Sequence, residues 1–202
     1  MTMYCAQKRS IAVVAAVLAL CGSSVSAAEQ KPEVQRLFQS GSYEQAVDAA
    51  RDGDPASTYF AAQALMKLNR NDQAVAELGR LRGDQPVWRL IAESTEALIA
   101  NDAGRATEVA RRAVEADANN PFAHYQLGLA AGKANDWNTA VPALTRAIEL
   151  KPDFAYAHYY AALGYQRLRQ LSKTAEHFDA FLRLAPDAPE RSAVLAVLRT
   201  IK

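Results

Sequence analysis

The chain has 202 residues, of which 50% are hydrophobic and 22% charged, with 23 basic residues against 22 acidic ones. This composition excludes wholesale disorder, which requires few hydrophobic residues and a high net charge. The charge balance also argues against a nucleic-acid-binding protein, whose electrostatic footprint is a basic stripe.

Residues 1–28 have the pattern of a secretory signal peptide. Basic Lys8-Arg9 precedes an unbroken apolar run over 11–20, and small residues lead to Ala27 and Ala28. The run is half of the ~20 residues that span a bilayer, so we predict cleavage rather than anchoring. We expect the cut after Ala28, or after Ala27, and a periplasmic protein, although full secretion fits the signal equally well.

Both cysteines, Cys5 and Cys21, lie in this segment. A lipid anchor on Cys21 is disfavoured because Leu20 precedes it, where bacterial lipoproteins have a small residue. Removal of the segment leaves no cysteine, which excludes thiol catalysis and a need for disulfides. It also leaves 21 basic and 22 acidic residues, a net charge of −1.

The remainder of the chain repeats at a fixed offset of 34. Residues 121–125 (PFAHY) align with 155–159 (AYAHY), and the same offset relates Leu144 to Phe178 and Pro152 to Pro186. A period of 34 with two helical stripes is typical of tetratricopeptide (TPR) repeats, and the chain resembles that family. The resemblance implies an all-α, right-handed α-solenoid.

Particular positions carry this resemblance. The family has small residues at its eighth and twentieth positions, an apolar one at the twenty-fourth and often proline at the thirty-second. Here those positions hold Ala62, Ala74, Leu78 and Pro86; Ser94, Ala106, Ala110 and Ala118; Gly128, Ala140, Leu144 and Pro152; and Ala162, Thr174, Phe178 and Pro186.

The repeats divide the chain into a signal peptide (1–28), an N-terminal half-repeat (29–54), four TPRs (55–86, 87–120, 121–154 and 155–186) and a capping helix (187–202). The spacing between equivalent alanines falls below the regular period from Ala74 to Ala106, and falls further from Ala46 to Ala74, so the linkers there are shorter.

Turn residues agree with this division. A left-handed residue should end the first helix of each pair, and the places are occupied by Gly41, Asn69, Asn101, Asn135 and, less typically, Arg169. We expect Asp102 and Asp136 to cap the helices that follow. Pro142 lies inside a predicted helix and should bend or loosen it.

The last segment predicts a helix that closes the solenoid. Asp187 is expected to cap it with Glu190 three positions on, as in a capping box. One face carries the apolar stripe that would cover the exposed end of the last repeat, formed by Ala193, Val194, Val197, Leu198 and Ile201.

Catalytic and metal-binding patterns are absent from the sequence. There is no H-E-x-x-H, G-x-S-x-G, C-x-x-C or phosphate loop. His124 and His158 are repeat equivalents, and we interpret these and His177 as packing residues rather than ligands. We therefore predict a protein that is not an enzyme, with no cofactor, no metal and no membrane span.

The resemblance also implies a binding surface. In TPR folds the first helix of each repeat lines the concave face, chiefly through its second, fifth, ninth, twelfth and thirteenth positions. Carried over, these predict an aromatic groove with a basic edge, which would suit peptide recognition. The residues are Tyr59, Trp88, Phe122, Tyr125, Lys133, Tyr156, Tyr159 and Arg167.

Two qualifications apply to this groove. The aromatic residues could instead pack between neighbouring helices. A chaperone-type clamp for an acidic chain terminus is absent, because the fifth and ninth positions of the last two repeats hold Tyr125, Leu129, Tyr159 and Leu163.

Together these features predict a protein–protein interaction scaffold of the cell envelope that binds a protein or peptide. The alternatives are a self-associating structural repeat, hence a homo-oligomer, and an accessory factor that binds cell-wall glycans through its aromatic residues.

Overall fold

The structure, a computed structural model, describes residues 27–51 and 53–201. Within these ranges it is all-α and contains eleven helices. They are α1 (Ala27–Gln39), α2 (Tyr43–Ala49), α3 (Pro55–Lys67), α4 (Asn71–Gly79), α5 (Pro86–Ile99), α6 (Ala103–Ala116), α7 (Pro121–Lys133), α8 (Trp137–Leu150), α9 (Ala155–Arg167), α10 (Leu171–Leu184) and α11 (Arg191–Ile201).

The first ten helices form five helix–turn–helix pairs, each joined by a turn of three residues. The middle residue of every turn has a left-handed backbone, with φ of 79° at Gly41 and 58–63° at Asn69, Asn101, Asn135 and Arg169. The predicted turn positions are thus confirmed. Each predicted TPR segment contains one helix pair, apart from Pro86, which opens α5.

Two predicted helix caps are confirmed. The carboxylate of Asp102 accepts a hydrogen bond from the backbone N–H of Arg105 at 2.9 Å, and Asp136 accepts one from Thr139 at 3.1 Å. Helix α8 continues from Trp137 to Leu150 through Pro142, whose ring is exposed, so this proline does not end the helix.

The small residues of the repeat pattern lie where helices approach most closely. Those at the twentieth position are fully buried in all four TPRs: Ala74, Ala106, Ala140 and Thr174. At the eighth position of the third repeat, a Cβ on Gly128 would clash with the side chain of Leu144. Glycine is therefore required here by the packing of α7 against α8.

The structure corrects two predictions about the ends of the repeat array. The segment expected as a half-repeat forms a helix pair, α1 and α2. The last helix begins at Arg191 rather than directly after Asp187. It still covers the end of the array, because Val194 and Leu198 are buried and Val197 and Ile201 pack against the core, whereas Ala193, predicted in the same stripe, is exposed.

Helices α1–α4, here called the N-terminal unit, do not simply extend the stack. In a regular solenoid each repeat contacts only its neighbours. Here one helix, α3, places Tyr59 against Trp88 of α5 and Phe122 of α7, and places Phe60 against Phe154 at the start of α9. Helix α3 of the N-terminal unit therefore contacts the first helices, or their start, in three successive repeats, and the TPR resemblance assigns these helices to the concave face.

Candidate functional site: a filled groove and an open shelf

The structure places most of the predicted groove residues in the interior. Tyr59, Trp88, Phe122, Tyr125 and Tyr156 are 0–8% exposed. Their expected exposure along a groove is wrong, because α1 and α3 pack against the later repeats and bury the rings of both. Whether any of the eight predicted residues binds a partner stays a prediction.

The other three predicted residues remain in contact with solvent. Tyr159 is half-buried and packs against Phe178 and Phe181 of α10, with ring centroids 6.0 and 5.1 Å away. Lys133 and Arg167 lie at the ends of α7 and α9, where their side chains reach solvent.

Aromatic side chains from both parts of the chain fill the concave face. The ring of Tyr125 lies 4.4 Å from that of Phe154, and Phe122 lies 5.7 Å from both Tyr59 and Phe60. Phe38 of α1 reaches Tyr156 of α9 at 5.0 Å. Tilted and edge-to-face pairs at these distances add to the stabilisation from burial alone.

A buried chain of hydrogen bonds connects α3 to the repeats beneath it. The hydroxyl of Tyr59 donates to Oε1 of Gln126 at 2.8 Å, Gln126 donates to Oγ of Ser94 at 3.0 Å, and Ser94 donates to the carbonyl of Ala106. Burial raises the pKa of Tyr59 well above its ordinary value, so the hydroxyl remains a donor. Gln126 was not predicted, since a lone glutamine carries no signal of such a contact.

A second polar contact joins the N-terminal unit to the turn before α11. The ammonium of Lys67 lies 3.0 Å from the carboxylate of Glu190 and 5.5 Å above the ring of Tyr156, whose hydroxyl donates to Glu190 at 2.8 Å. Burial alone raises the pKa of Glu190, but the hydrogen bonds from Lys67 and Tyr156 outweigh it and lower the pKa. The carboxylate is therefore charged at neutral pH.

Two further contacts reinforce this connection. Gln35 of α1 donates to the backbone carbonyl of Asp153 at 3.2 Å. Gly41 packs against Pro189 so closely that a Cβ on Gly41 would lie 2.6 Å from the proline Cγ. The N-terminal unit thus contacts the far end of the array as well as its middle.

The C-terminal end of α9 borders a surface cavity. This cavity of about 390 Å³ is lined by Trp137, Leu163, Gln166 and Arg167. We call the surface formed by these four residues the open shelf. Leu163 and Arg167 occupy the ninth and thirteenth positions of their repeat, which the TPR resemblance assigns to the concave face. Trp137 was not predicted.

Trp137 is positioned by glycines on two neighbouring helices. A Cβ on Gly132 of α7 would lie 3.2 Å from its ring, and one on Gly164 of α9 would lie 3.3 Å away. Its indole N–H donates to the side chain of Asn135 at 2.9 Å. These two glycines, on the first helices of successive repeats, were the signal in the sequence that could have located this ring.

A second cavity of about 580 Å³, here called the outer cavity, lies between α8 and α10 and also has Trp137 in its lining. Its lining includes Pro142, Thr145, Tyr165 and Lys173. Trp137 therefore borders both the open shelf and this outer cavity.

None of the helices in the described ranges is long and apolar enough to cross a membrane.

Comparison of the sequence with protein-family models and with curated proteins finds no match. The fold belongs to the α-solenoids, since its helix pairs stack in a regular repeat. Solved structures show the kind of repeat. TTC0263, a TPR protein of Thermus thermophilus, has a similar structure, with a TM-score of 0.61 and 17% sequence identity, and the match covers 87% of this chain and 98% of that one.

Two other TPR structures are similar. YrrB, a TPR protein described as having an unusual peptide-binding site, is 19% identical with a TM-score of 0.52, over 86% of this chain and 92% of that one. The first TPR of Spaghetti (RPAP3), bound to an HSP90 peptide, is 18% identical with a TM-score of 0.54, over 59% of this chain and 92% of that one. This chain therefore has the TPR fold.

Proposed function

We propose that this chain is a non-catalytic protein-interaction scaffold of the bacterial cell envelope, and that it holds a segment of a partner protein at the open shelf. The observation that carries the proposal is the shelf itself. Three of its residues occupy the ninth, twelfth and thirteenth positions of the last repeat, which the TPR resemblance assigns to the concave face, and the shelf combines a ring, an aliphatic side chain and a cation around a cavity.

The side chains of the shelf suit an extended peptide. Trp137 and Leu163 offer apolar contact area, while Gln166 can donate to and accept from a peptide backbone. Arg167 reaches solvent and forms no ion pair among the described residues, so its guanidinium is available to a partner. Tryptophan and arginine are among the residue types that most often dominate binding energies.

Structural neighbours support the same function. The RPAP3 domain was solved with a bound peptide, and YrrB has a peptide-binding site of its own. Both use the helical-repeat architecture found here, which offers an elongated surface rather than a closed pocket.

The test of binding compares Arg167→Glu with Arg191→Glu, a matched reversal of an exposed charge on α11. A partner is first identified by co-purification with the mature protein from its own cell envelope. We expect Arg167→Glu to weaken its binding about tenfold or more, equivalent to about 1.4 kcal/mol, and Arg191→Glu to leave it unchanged. Equal affinities for the parent and Arg167→Glu would place the binding surface elsewhere.

Export is tested separately. The predicted signal peptide lies largely outside the described residues, and its predicted end falls at the start of α1. Mass measurement of protein recovered from the envelope should give a chain that begins at Ala28 or Glu29. A chain that begins at a lipid-modified Cys21, or protein found only in the cytoplasm, would contradict the proposed location.

A further inference from the structure

Two histidines on neighbouring helices face each other at the surface between α9 and α10. Nδ1 of His158 lies 3.1 Å from Nδ1 of His177, and both side chains are half-buried. The ring of Tyr165 stacks on His177, with centroids 5.2 Å apart and planes inclined by 12°. Neither histidine takes part in the filled groove or the open shelf.

The hydrogen bonds determine which nitrogens carry protons. Nε2 of His158 lies 3.3 Å from the backbone carbonyl of Pro152. Because a carbonyl can only accept, Nε2 is the protonated nitrogen, and Nδ1 keeps a lone pair that points at His177. Metal-binding histidines usually donate from their second nitrogen to a carboxylate, a backbone carbonyl or water, and the Pro152 carbonyl is a partner of this kind.

Both rings are held in the neutral form that metals require. Burial lowers the pKa of His158, and the nearby charge of Arg183 lowers it further. The hydrogen bond to the Pro152 carbonyl and the charge of Glu176 act to raise this pKa, but the net shift is downward. Burial also lowers the pKa of His177, helped by His158 and Lys173 and opposed by Glu176. At neutral pH the pair therefore presents imidazole lone pairs rather than imidazolium.

We propose that His158 and His177 together bind one divalent transition-metal ion through their Nδ1 atoms. With metal–nitrogen bonds of about 2.05 Å, two nitrogens 3.1 Å apart subtend an angle of about 98° at the metal. This value lies between the tetragonal geometry of Cu²⁺ and the tetrahedral geometry of Zn²⁺. On binding, the proton of His177 moves from Nδ1 to Nε2, and both Nδ1 lone pairs become ligands.

The surroundings define the strength and the preference of the site. No group of three or more metal-ligating side chains occurs among residues 27–51 and 53–201, so water completes the coordination. Glu176 favours a cation, whereas Lys173 and Arg183 oppose it. The site should therefore bind reversibly, and Cu²⁺ should bind most tightly because imidazole affinity peaks at copper along the divalent series.

The repeat supplies a matched control within the same molecule. His124 occupies the position of His158 one repeat earlier, and its Nε2 contacts the carbonyl of Ala118 at 2.9 Å in the same way. The position equivalent to His177 holds Ala143. His124 therefore has the supporting hydrogen bond without the second ligand.

The experiment measures Cu²⁺ binding by calorimetry on chelator-treated mature protein purified without a histidine tag. We expect one ion per chain. His158→Gln and His177→Gln should each weaken binding at least about tenfold, since even loss of a supporting partner of a ligand has that effect. His124→Gln should change it less than about twofold. The melting temperature should rise with Cu²⁺ for the parent and His124→Gln, and the rise should disappear with a chelator.

Imidazole nitrogen spectra of the parent protein with Zn²⁺ give a measurement that does not depend on any variant's folding. The Nδ1 resonances of His158 and His177, and not those of His124, should shift. Absence of those shifts, or equal Cu²⁺ affinity in the parent and a folded His158→Gln, His177→Gln double variant, would overturn the metal site. The pair would then be only a hydrogen bond between α9 and α10.

Discussion

At the residue scale, the contact between Tyr59 and Gln126 shows how the groove is filled. The two residues are 67 positions apart, and both side chains are fully buried. A buried amide needs its partners, because an unsatisfied polar group costs more than an ordinary hydrogen bond contributes. The side-chain oxygen of Gln126 accepts a hydrogen bond from Tyr59, and its side-chain nitrogen donates one to Ser94. The bond between Tyr59 and Gln126 therefore specifies where α3 lies on α7.

Removing the hydroxyl of Tyr59 should therefore destabilise the protein out of proportion to the atom lost. We expect Tyr59→Phe to lower the free energy of unfolding by about 1–3 kcal/mol, because Oε1 of Gln126 is left unsatisfied. Tyr165→Phe is the control, since that hydroxyl has only a 3.4 Å contact with Thr145. Urea denaturation measures both, and equal effects of the two substitutions would contradict a special role for Tyr59.

Gly128 and Leu144 provide a second test at this scale. Gly128→Ala should destabilise α7 against α8 through the clash with Leu144, typically by about 1–3 kcal/mol. Leu144→Ala should cost about 2–5 kcal/mol by leaving a cavity. The double variant should cost less than the sum of the two, because the added methyl group gains room. Strict additivity of the denaturation free energies would show that the two side chains do not interlock.

At the scale of the helix and its turn, the sequence correctly predicted the backbone conformation wherever neighbouring residues alone determine it. Asn69, Asn101 and Asn135 were predicted in left-handed turns because an asparagine side chain tolerates that backbone by itself. The start of α11 was mispredicted because Glu190 has a distant partner. Its carboxylate binds Lys67, 123 positions away, instead of capping a helix.

The capping helix makes its own prediction. Deletion of residues 187–202 would expose the surface beneath Val194 and Leu198 and also remove Glu190 and Pro189, which contact the N-terminal unit. We expect a lower melting temperature, measured by calorimetry, and aggregation, measured by light scattering. Val194→Ser should have a smaller effect of the same sign.

The neighbouring Ala193 is exposed, so Ala193→Ser is the matched control and should be neutral. Unchanged melting and solubility after the truncation would refute a capping role for α11.

At the scale of the whole molecule, the repeat pattern predicted an exposed aromatic groove, whereas the structure buries most of its residues. The rings of Phe122, Tyr125 and Tyr156 are only 1–7% exposed. They are covered because α1 and α3 meet residues far along the chain, as in the 118-position separation of Gln35 and Asp153. Only the shortened spacings between the equivalent alanines of the first repeats marked where regular stacking ends.

This arrangement changes what the aromatic residues can do. While the N-terminal unit covers these rings, Tyr125 is a core residue, and under the proposed function a partner would bind the open shelf instead. The contact between Lys67 and Glu190 connects α3 directly to the turn before α11, so it reports on whether the unit is in place.

Zero-length cross-linking tests the filled groove most directly. A carbodiimide joins an ammonium to a carboxylate with loss of water, and Nζ of Lys67 lies 3.0 Å from Oε1 of Glu190. Mass spectrometry of the monomer band should reveal an amide between peptides that contain these residues. The link should be absent in Glu190→Gln, while the local pair of Lys151 and Asp153, at 2.9 Å, serves as the positive control for the reagent. A monomer that links Lys151 to Asp153 but never Lys67 to Glu190 would show that the N-terminal helices leave the concave face open.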